Sequence, residues 1–371
     1  MESATERDGY TCESIQVLEG LEAVRKRPGM YAGDTTDGSG LEHLLWGVVD
    51  NAIDQHLARR AANLRVDVRP DGWIEVEDDG PGLPVEPTRP RGRPAMEVLF
   101  SEYLVGGCSG ERYLSHAYIG PRAVGVDTMV VSALSARLEV ENRYRGQLWR
   151  AAFERGHAVH PASCEGPAAR SGLRIRYRPD PTIFTKMSVD LARVERRLRE
   201  LAWLHPLLAI RFQGQVLPGR GGLPAWVREE AGDALEGGVL AAALRTIDDV
   251  YVDLAFGWRA AGGPQDIESF VNQERVPSGT HVDGFWSGLR RIAGVLGCDA
   301  NRRVVRELLS PGLVARIHIG LNSASFGSGT HDRLKTPLAA EAVSRAVLDA
   351  AELRWKQSAL AVMLRERLRI G

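Results

Sequence analysis

Gly47, Asn51 and Asp54 are spaced four and three residues apart, so on a helix they share one face and point together at whatever lies beside it. An amide oxygen is a suitable hard ligand for a small cation. A polar face of this kind, read alone, is usually that of a solvated surface helix. Further on, Asp78-Asp79-Gly80-Pro81-Gly82-Leu83-Pro84 puts two carboxylates into a segment too rich in glycine and proline to continue as a strand. Asp50, His116, Arg122 and His331 are further acids and bases that a pocket could use. Cys12, Cys108, Cys164 and Cys298 are scattered, with no pair at metal-ligand spacing and no disulfide-framework density.

The elements that must position these residues follow from periodicity. Leu41, Leu44, Leu45, Val48, Val49, Ala52 and Ile53 recur at three- and four-residue spacing, which predicts a helix over 41–57 with an apolar stripe facing a core. Leu64, Val66 and Val68 alternate with polar residues, a Pro70-Asp71-Gly72 turn follows, and Ile74 and Val76 alternate with acids: a β-hairpin running into the acidic turn. Residues 85–93 read as a Pro/Arg-rich loop, and 105–125 as a Gly-rich lid or surface loop. After an apolar run over 130–134, strands are expected within 138–153 and over 173–177, then a charged amphipathic helix over 187–204. Gly214 to Gly222, with Pro218, marks the expected domain boundary, giving domains 1–217 and 218–371. Strands over 250–256 and 313–319 and one long helix from Pro337 to the C-terminus complete the reading.

At 371 residues the chain is long enough for two domains, each with its own core. Lys plus Arg number 47 against 48 Asp plus Glu, so composition gives no push toward nucleic acid. With a polar N-terminus and no apolar run of bilayer length, a soluble, cytoplasmic protein is expected, with no membrane partner.

Five stretches resemble the gyrase B and topoisomerase IV B-subunit family, in the family's order: 14–31 its opening segment, 48–54 its first ATP-site helix, 78–84 its adenine-site turn, and 278–281 and 326–334 the signatures of its transducer domain. The resemblance implies an α+β protein of two domains: an N-terminal α/β sandwich of the gyrase/chaperone/histidine-kinase ATPase type, then a ribosomal-S5-like transducer domain. It implies ATP or ADP with Mg as cofactor. Asn51 stands where the family holds the magnesium, Asp78 where it reads the adenine amine, and Gly82 where the backbone approaches the base; Asp54, Pro84, Ser171 and Gly172 belong to the same implied pocket. Tyr10 and Ile15 have the spacing of arm residues that reach a partner's nucleotide, which implies a homodimer; an ordinary polar tail reads equally well.

The departures from the family pattern are chemical. Where the family places a water-activating glutamate this chain has Gly47, which cannot accept a proton; that contribution is typically about a hundred- to ten-thousand-fold. Glu42 and Asp50 lie at the wrong helical angles to replace it. Where the family's phosphate-binding lysine stands there is His331, mostly uncharged near neutral pH. The family's phosphate-wrapping loop corresponds to 120–127, where Gly120, Arg122 and Gly125 are the candidate phosphate contacts; in either register a glycine is replaced, and Pro121 removes a donor. Leu173 replaces a threonine and Pro81 an arginine beside the adenine site. The family's DNA-cleavage parts have no counterpart in this sequence.

The expectation is therefore a gyrase B-like pseudo-ATPase that binds nucleotide or a related ligand with little or no hydrolysis. Three alternatives stand beside it: a repurposed pocket acting on a small molecule, a protein that partners a gyrase subunit or protects gyrase from an inhibitor, and a residual ATPase.

Overall fold

The computed structural model describes residues 21–88, 92–102, 128–232, 235–351 and 358–369. Leu41, Leu44, Leu45, Val48, Val49, Ala52 and Ile53 are all buried along the helix Ser39–Leu57. That stripe packs the helix against a mostly antiparallel sheet of β1 (Asn63–Val68), β2 (Ile74–Asp78), β3 (Ser135–Tyr144), β4 (Gln147–Glu154), β5 (His157–Pro167), β6 (Gly172–Pro179), β7 (Ala209–Phe212) and β8 (Gln215–Val216). The strand order is β5-β4-β3-β6-β2-β1-β7-β8. β1 and β2 form the expected hairpin, with Val66 opposite Val76. β2 then lies between β1 and β6, in the interior of the sheet.

The charged helix starts later than its periodicity suggests, at Leu191, because the Asp190 side chain accepts the Ala192 and Arg193 N–H groups and fixes the N-cap there. It ends at Leu204, before His205-Pro206, where proline disfavours further helix. The helix Gly222–Ala231 follows and leads to a second sheet.

That sheet contains β9 (Leu235–Ile247), β10 (Val250–Arg259), β11 (Asp266–Val271) and β12 (Glu274–Arg275), then, after the short β13 (Ser278–Gly279), β14 (Leu313–Gly320), in the order β12-β11-β14-β10-β9. β11 and β14 are parallel, joined by a crossover that includes the helix Thr280–Leu296. A large apolar core covers one face; Trp203, Leu204, Leu223 and Trp226 pack with Phe270 and Val314 in a smaller cluster that joins the second sheet to the helices before it. β13 pairs with β15 (Arg333–Leu334), closing the loop that carries His331.

The expectation of one long C-terminal helix is overturned. One helix spans Leu338–Ala350; Ser358, in extended backbone with its side chain accepting the Ala361 N–H, caps a second, Ala359–Leu368. A residue that caps one helix in extended backbone cannot continue another. No described helix is long and apolar enough to cross a membrane.

Candidate functional site

Gly47, Asn51 and Gln55 follow at four-residue intervals and form one row along the helix Ser39–Leu57. The lower end of that row meets the acidic turn: a Cβ on Gly80 would lie 3.3 Å from the Gln55 Cβ and 2.7 Å from an Asp78 carboxylate oxygen. The helix face carrying Asn51 is thus brought to the end of β2. Gly47 is buried, Asn51 half-buried, and Asp54, on the same side, is buried.

The two aspartates of the turn differ in use. Asp79 accepts the Ala62 N–H (2.8 Å), the Asn63 N–H (2.9 Å) and the Asn63 side-chain amide (2.6 Å). Burial pushes its carboxyl up, but these hydrogen bonds outweigh it and hold it below the ordinary range. Asp78 is buried, and its carboxylate accepts the Gly80 N–H at 2.8 Å. Burial drives its carboxyl up to about 7, with nearby Asp79 and Glu77 adding to the rise and Gly80 and Arg143 opposing it. In register, Asp78 lies between Leu64 and Leu173, so its cross-strand neighbours in the sheet are apolar.

A residue that sequence reasoning missed fixes the rest of the turn. Asn142, fully buried on β3, accepts the Leu83 N–H and donates to the Leu83 carbonyl, both at 2.8 Å. Gly82 has φ +79°, and a Cβ there would fall 2.4 Å from the Asn142 amide oxygen and 2.9 Å from the Arg143 carbonyl. Glycine at 82 is what admits this clamp. The signal was present in the alternation Leu138, Val140, Asn142, where a polar residue takes a core-facing position. Gly172 has a parallel role: a Cβ there would lie 2.6 Å from the Asp78 carbonyl. The Pro84 carbonyl accepts the Met96 N–H (3.0 Å), tying the end of the turn to the helix Ala95–Ser101.

A buried carboxylate at a strand end, a backbone turn clamped beside it, and a helix face bearing an amide are thus brought together. The family describing the histidine kinase-, DNA gyrase B- and HSP90-like ATPases matches residues 36–160, and the DNA gyrase B family matches residues 222–358. The chain belongs to the DNA gyrase B and topoisomerase IV B-subunit family, over its ATPase and transducer regions. The DNA gyrase B protein of Thermotoga maritima is 35% identical over 359 residues, covering 91% of this chain and 56% of that protein. The 43K ATPase domain of Thermus thermophilus gyrase B, solved with an aminocoumarin, is 28% identical with a TM-score of 0.78, over 95% of this chain and 94% of that one. The gyrase B structure from Myxococcus xanthus is 25% identical with a TM-score of 0.79, over 94% and 99%. The chain spans about half the length of the curated relatives it matches.

Within this family frame the remaining candidate residues separate. Glu42 is buried and ion-paired with Arg193 at 3.0 Å, so it is committed elsewhere and does not stand in for a carboxylate at 47. Ser171 is exposed, whereas Gly172 and Leu173 are buried. His331, at φ +53°, stacks on Phe326 with ring centroids 4.0 Å apart, and its Nδ1 lies 3.0 Å from a Glu274 carboxylate oxygen. Its ring is thereby engaged within the transducer's own loop. Tyr10, Ile15, His116, Gly120, Arg122 and Gly125 lie outside the described residues. No described cluster of three or more His, Cys, Asp and Glu side chains is arranged to hold a metal ion.

Asp78 is a buried polar group on a clamped turn, of a chemistry that would suit the amine edge of a base. Along the helix row, Asn51 carries an amide oxygen of a kind that would suit magnesium, and Gly47 carries no side chain to accept a proton.

Proposed function

We propose that this chain is a gyrase B-like pseudo-ATPase, a module that binds ADP or ATP with magnesium and turns it over little or not at all. Asp78 would take the adenine edge, the turn held by Asn142 would lie along the base, and Asn51 would contribute to the magnesium. Bound magnesium would draw the phosphates together and neutralise their charge. Residues 1–217 and 218–371 would be the ATP-binding and transducer domains of a cytoplasmic protein, with a second copy or a gyrase subunit as partner.

The observation that carries the reading is the row Gly47, Asn51, Gln55, which has no carboxylate at the family's general-base position, while Glu42 is tied to Arg193. The engagement of His331 by Phe326 and Glu274 supports it, because no fixed lysine charge occupies that place. Calorimetric titration with ADP and with a non-hydrolysable ATP analogue, each with magnesium, tests it. Saturable binding that weakens at least tenfold in Asp78→Ala is expected; absence of binding to both ligands refutes it.

The likeness to the aminocoumarin-bound Thermus domain favours a second reading, in which the cleft takes up such an inhibitor and shields a genuine gyrase. Gyrase supercoiling assayed with an aminocoumarin, with and without excess of this chain, separates the two: rescue supports shielding, and unchanged inhibition removes it.

A further inference from the structure

His56, near the end of the helix that carries Asn51, His205, at the end of the helix Leu191–Leu204, and His318 on β14 form a continuous column of rings. His56 meets His205 edge-to-face at 5.7 Å, His205 meets His318 at 6.1 Å, and Tyr251 closes the column on His318 at 5.5 Å. His205 and His318 are only 4% and 6% exposed. The column crosses from the first sheet's ligand helix to the second sheet, so the two halves of the molecule touch through imidazoles.

The hydrogen bonds define the protonation of two rings. His318 Nε2 lies 2.6 Å from the Asn272 carbonyl, which only accepts, so that nitrogen carries the proton and Nδ1 is bare. By the same reasoning His56 Nδ1 donates to the Ala61 carbonyl, 2.9 Å away. Among the described residues, His318 Nδ1 and His205 Nε2 are buried with no hydrogen-bond partner. His205 and His318 pack as neutral rings, their burial disfavouring the charged form.

We propose that the column His56–His205–His318 is an acid-released latch, which holds the ligand-site helix to the transducer sheet near neutral pH and lets go when His205 and His318 gain protons. The groups facing it do not welcome charge. Arg197, from the same helix as His205, adds positive charge, and Glu200 is already paired with Arg197 and Arg275. On β10, Tyr251 contacts His318, and Asp253 sits directly across from it in register. Burial pushes the Asp253 carboxyl up to about 6, so it loses its charge as the histidines would gain theirs. Burial first, then His318, His56 and Arg197, pushes His205 well down, and burial brings His318 down to about 4. Released rings would return to about 6.5. Both groups are therefore depressed in the closed form: the latch is intact above about 6.5 and weakens as pH falls from there toward 4, by about a hundredfold per pH unit for two protons where Asp253 stays buried on opening and by about tenfold where opening releases it.

Hydrogen exchange of the full chain at pH 7.5 and 5.0, corrected for intrinsic rates, tests this. Residues 201–205 and 313–320 should exchange more than tenfold faster at pH 5.0 while β1 and β2 keep their protection, and the double variant His205→Asn/His318→Gln should lose this pH dependence. Equal protection at the two pH values, loss of protection everywhere at once, or a folded double variant as acid-sensitive as the parent overturns the proposal. If the double variant does not fold, the parent chain's regional pattern decides alone.

Discussion

Asp78 and Asp79 are adjacent in sequence and opposite in chemistry. Asp79 is locked by three donors, while Asp78 is kept in an apolar setting that favours its protonated form. A carboxyl whose pKa is raised by folding adds stability that is fully present below its unfolded value, about 3.9, and is lost as pH rises through about 7. The full linkage corresponds to about 4 kcal/mol at most. Asp78→Asn, which removes the ionisation and keeps the shape, should therefore raise unfolding free energy by about 2–4 kcal/mol at pH 8 and by almost nothing near pH 4. Urea denaturation at the two pH values checks this; the same variant should weaken nucleotide binding, the mark of a site that gives up stability for recognition. Asn142→Leu strands the Leu83 N–H and carbonyl in the interior and should cost about 2–4 kcal/mol by the same measurement. The helix-face row and the acidic turn were legible because glycine, proline and four-residue spacing mark themselves locally. Asn142 was not read, because its meaning depends on Leu83, far away in sequence and close only once β3 and β2 share a sheet through β6.

At the scale of elements, the helix Ser39–Leu57 and the first hairpin followed from periodicity, while β14, buried over almost its whole length, was legible as a continuous apolar run. β5 did not: it is an edge strand with most of its residues exposed, and no core imposes alternation on it. The C-terminal break at Ser358 was missed because alanine-rich sequence on both sides reads as helix, while the decisive contact is a single side-chain cap. Caps also decide the helix that ends at the histidine column. Asp190→Ala removes the acceptor for two N–H groups and should lower stability by about 1 kcal/mol, read as a fall in Tm, with the loss of helicity confined to the first turn.

Across the whole molecule, two apolar cores are joined by a smaller cluster in which Trp203 and Trp226 stack with centroids 6.5 Å apart and the Arg316 guanidinium lies 4.8 Å from the Trp226 ring. Arg316 is buried and balanced by Asp266 at 3.0 Å. Trp226→Ala should cost about 3–5 kcal/mol. It should also separate the unfolding of the two halves, visible in calorimetry as two transitions in place of one. The two-sheet architecture was expected from the family resemblance; the chemistry of the seam, with its three histidines, arises from residues that carry no signal one at a time. The proposed loss of hydrolysis, with Gly47 in place of an acid–base group, is tested most directly by phosphate release from Mg-ATP with the protein saturated by nucleotide. Release at or close to the rate of the protein-free control is expected; steady turnover that disappears in Asn51→Ala would contradict it.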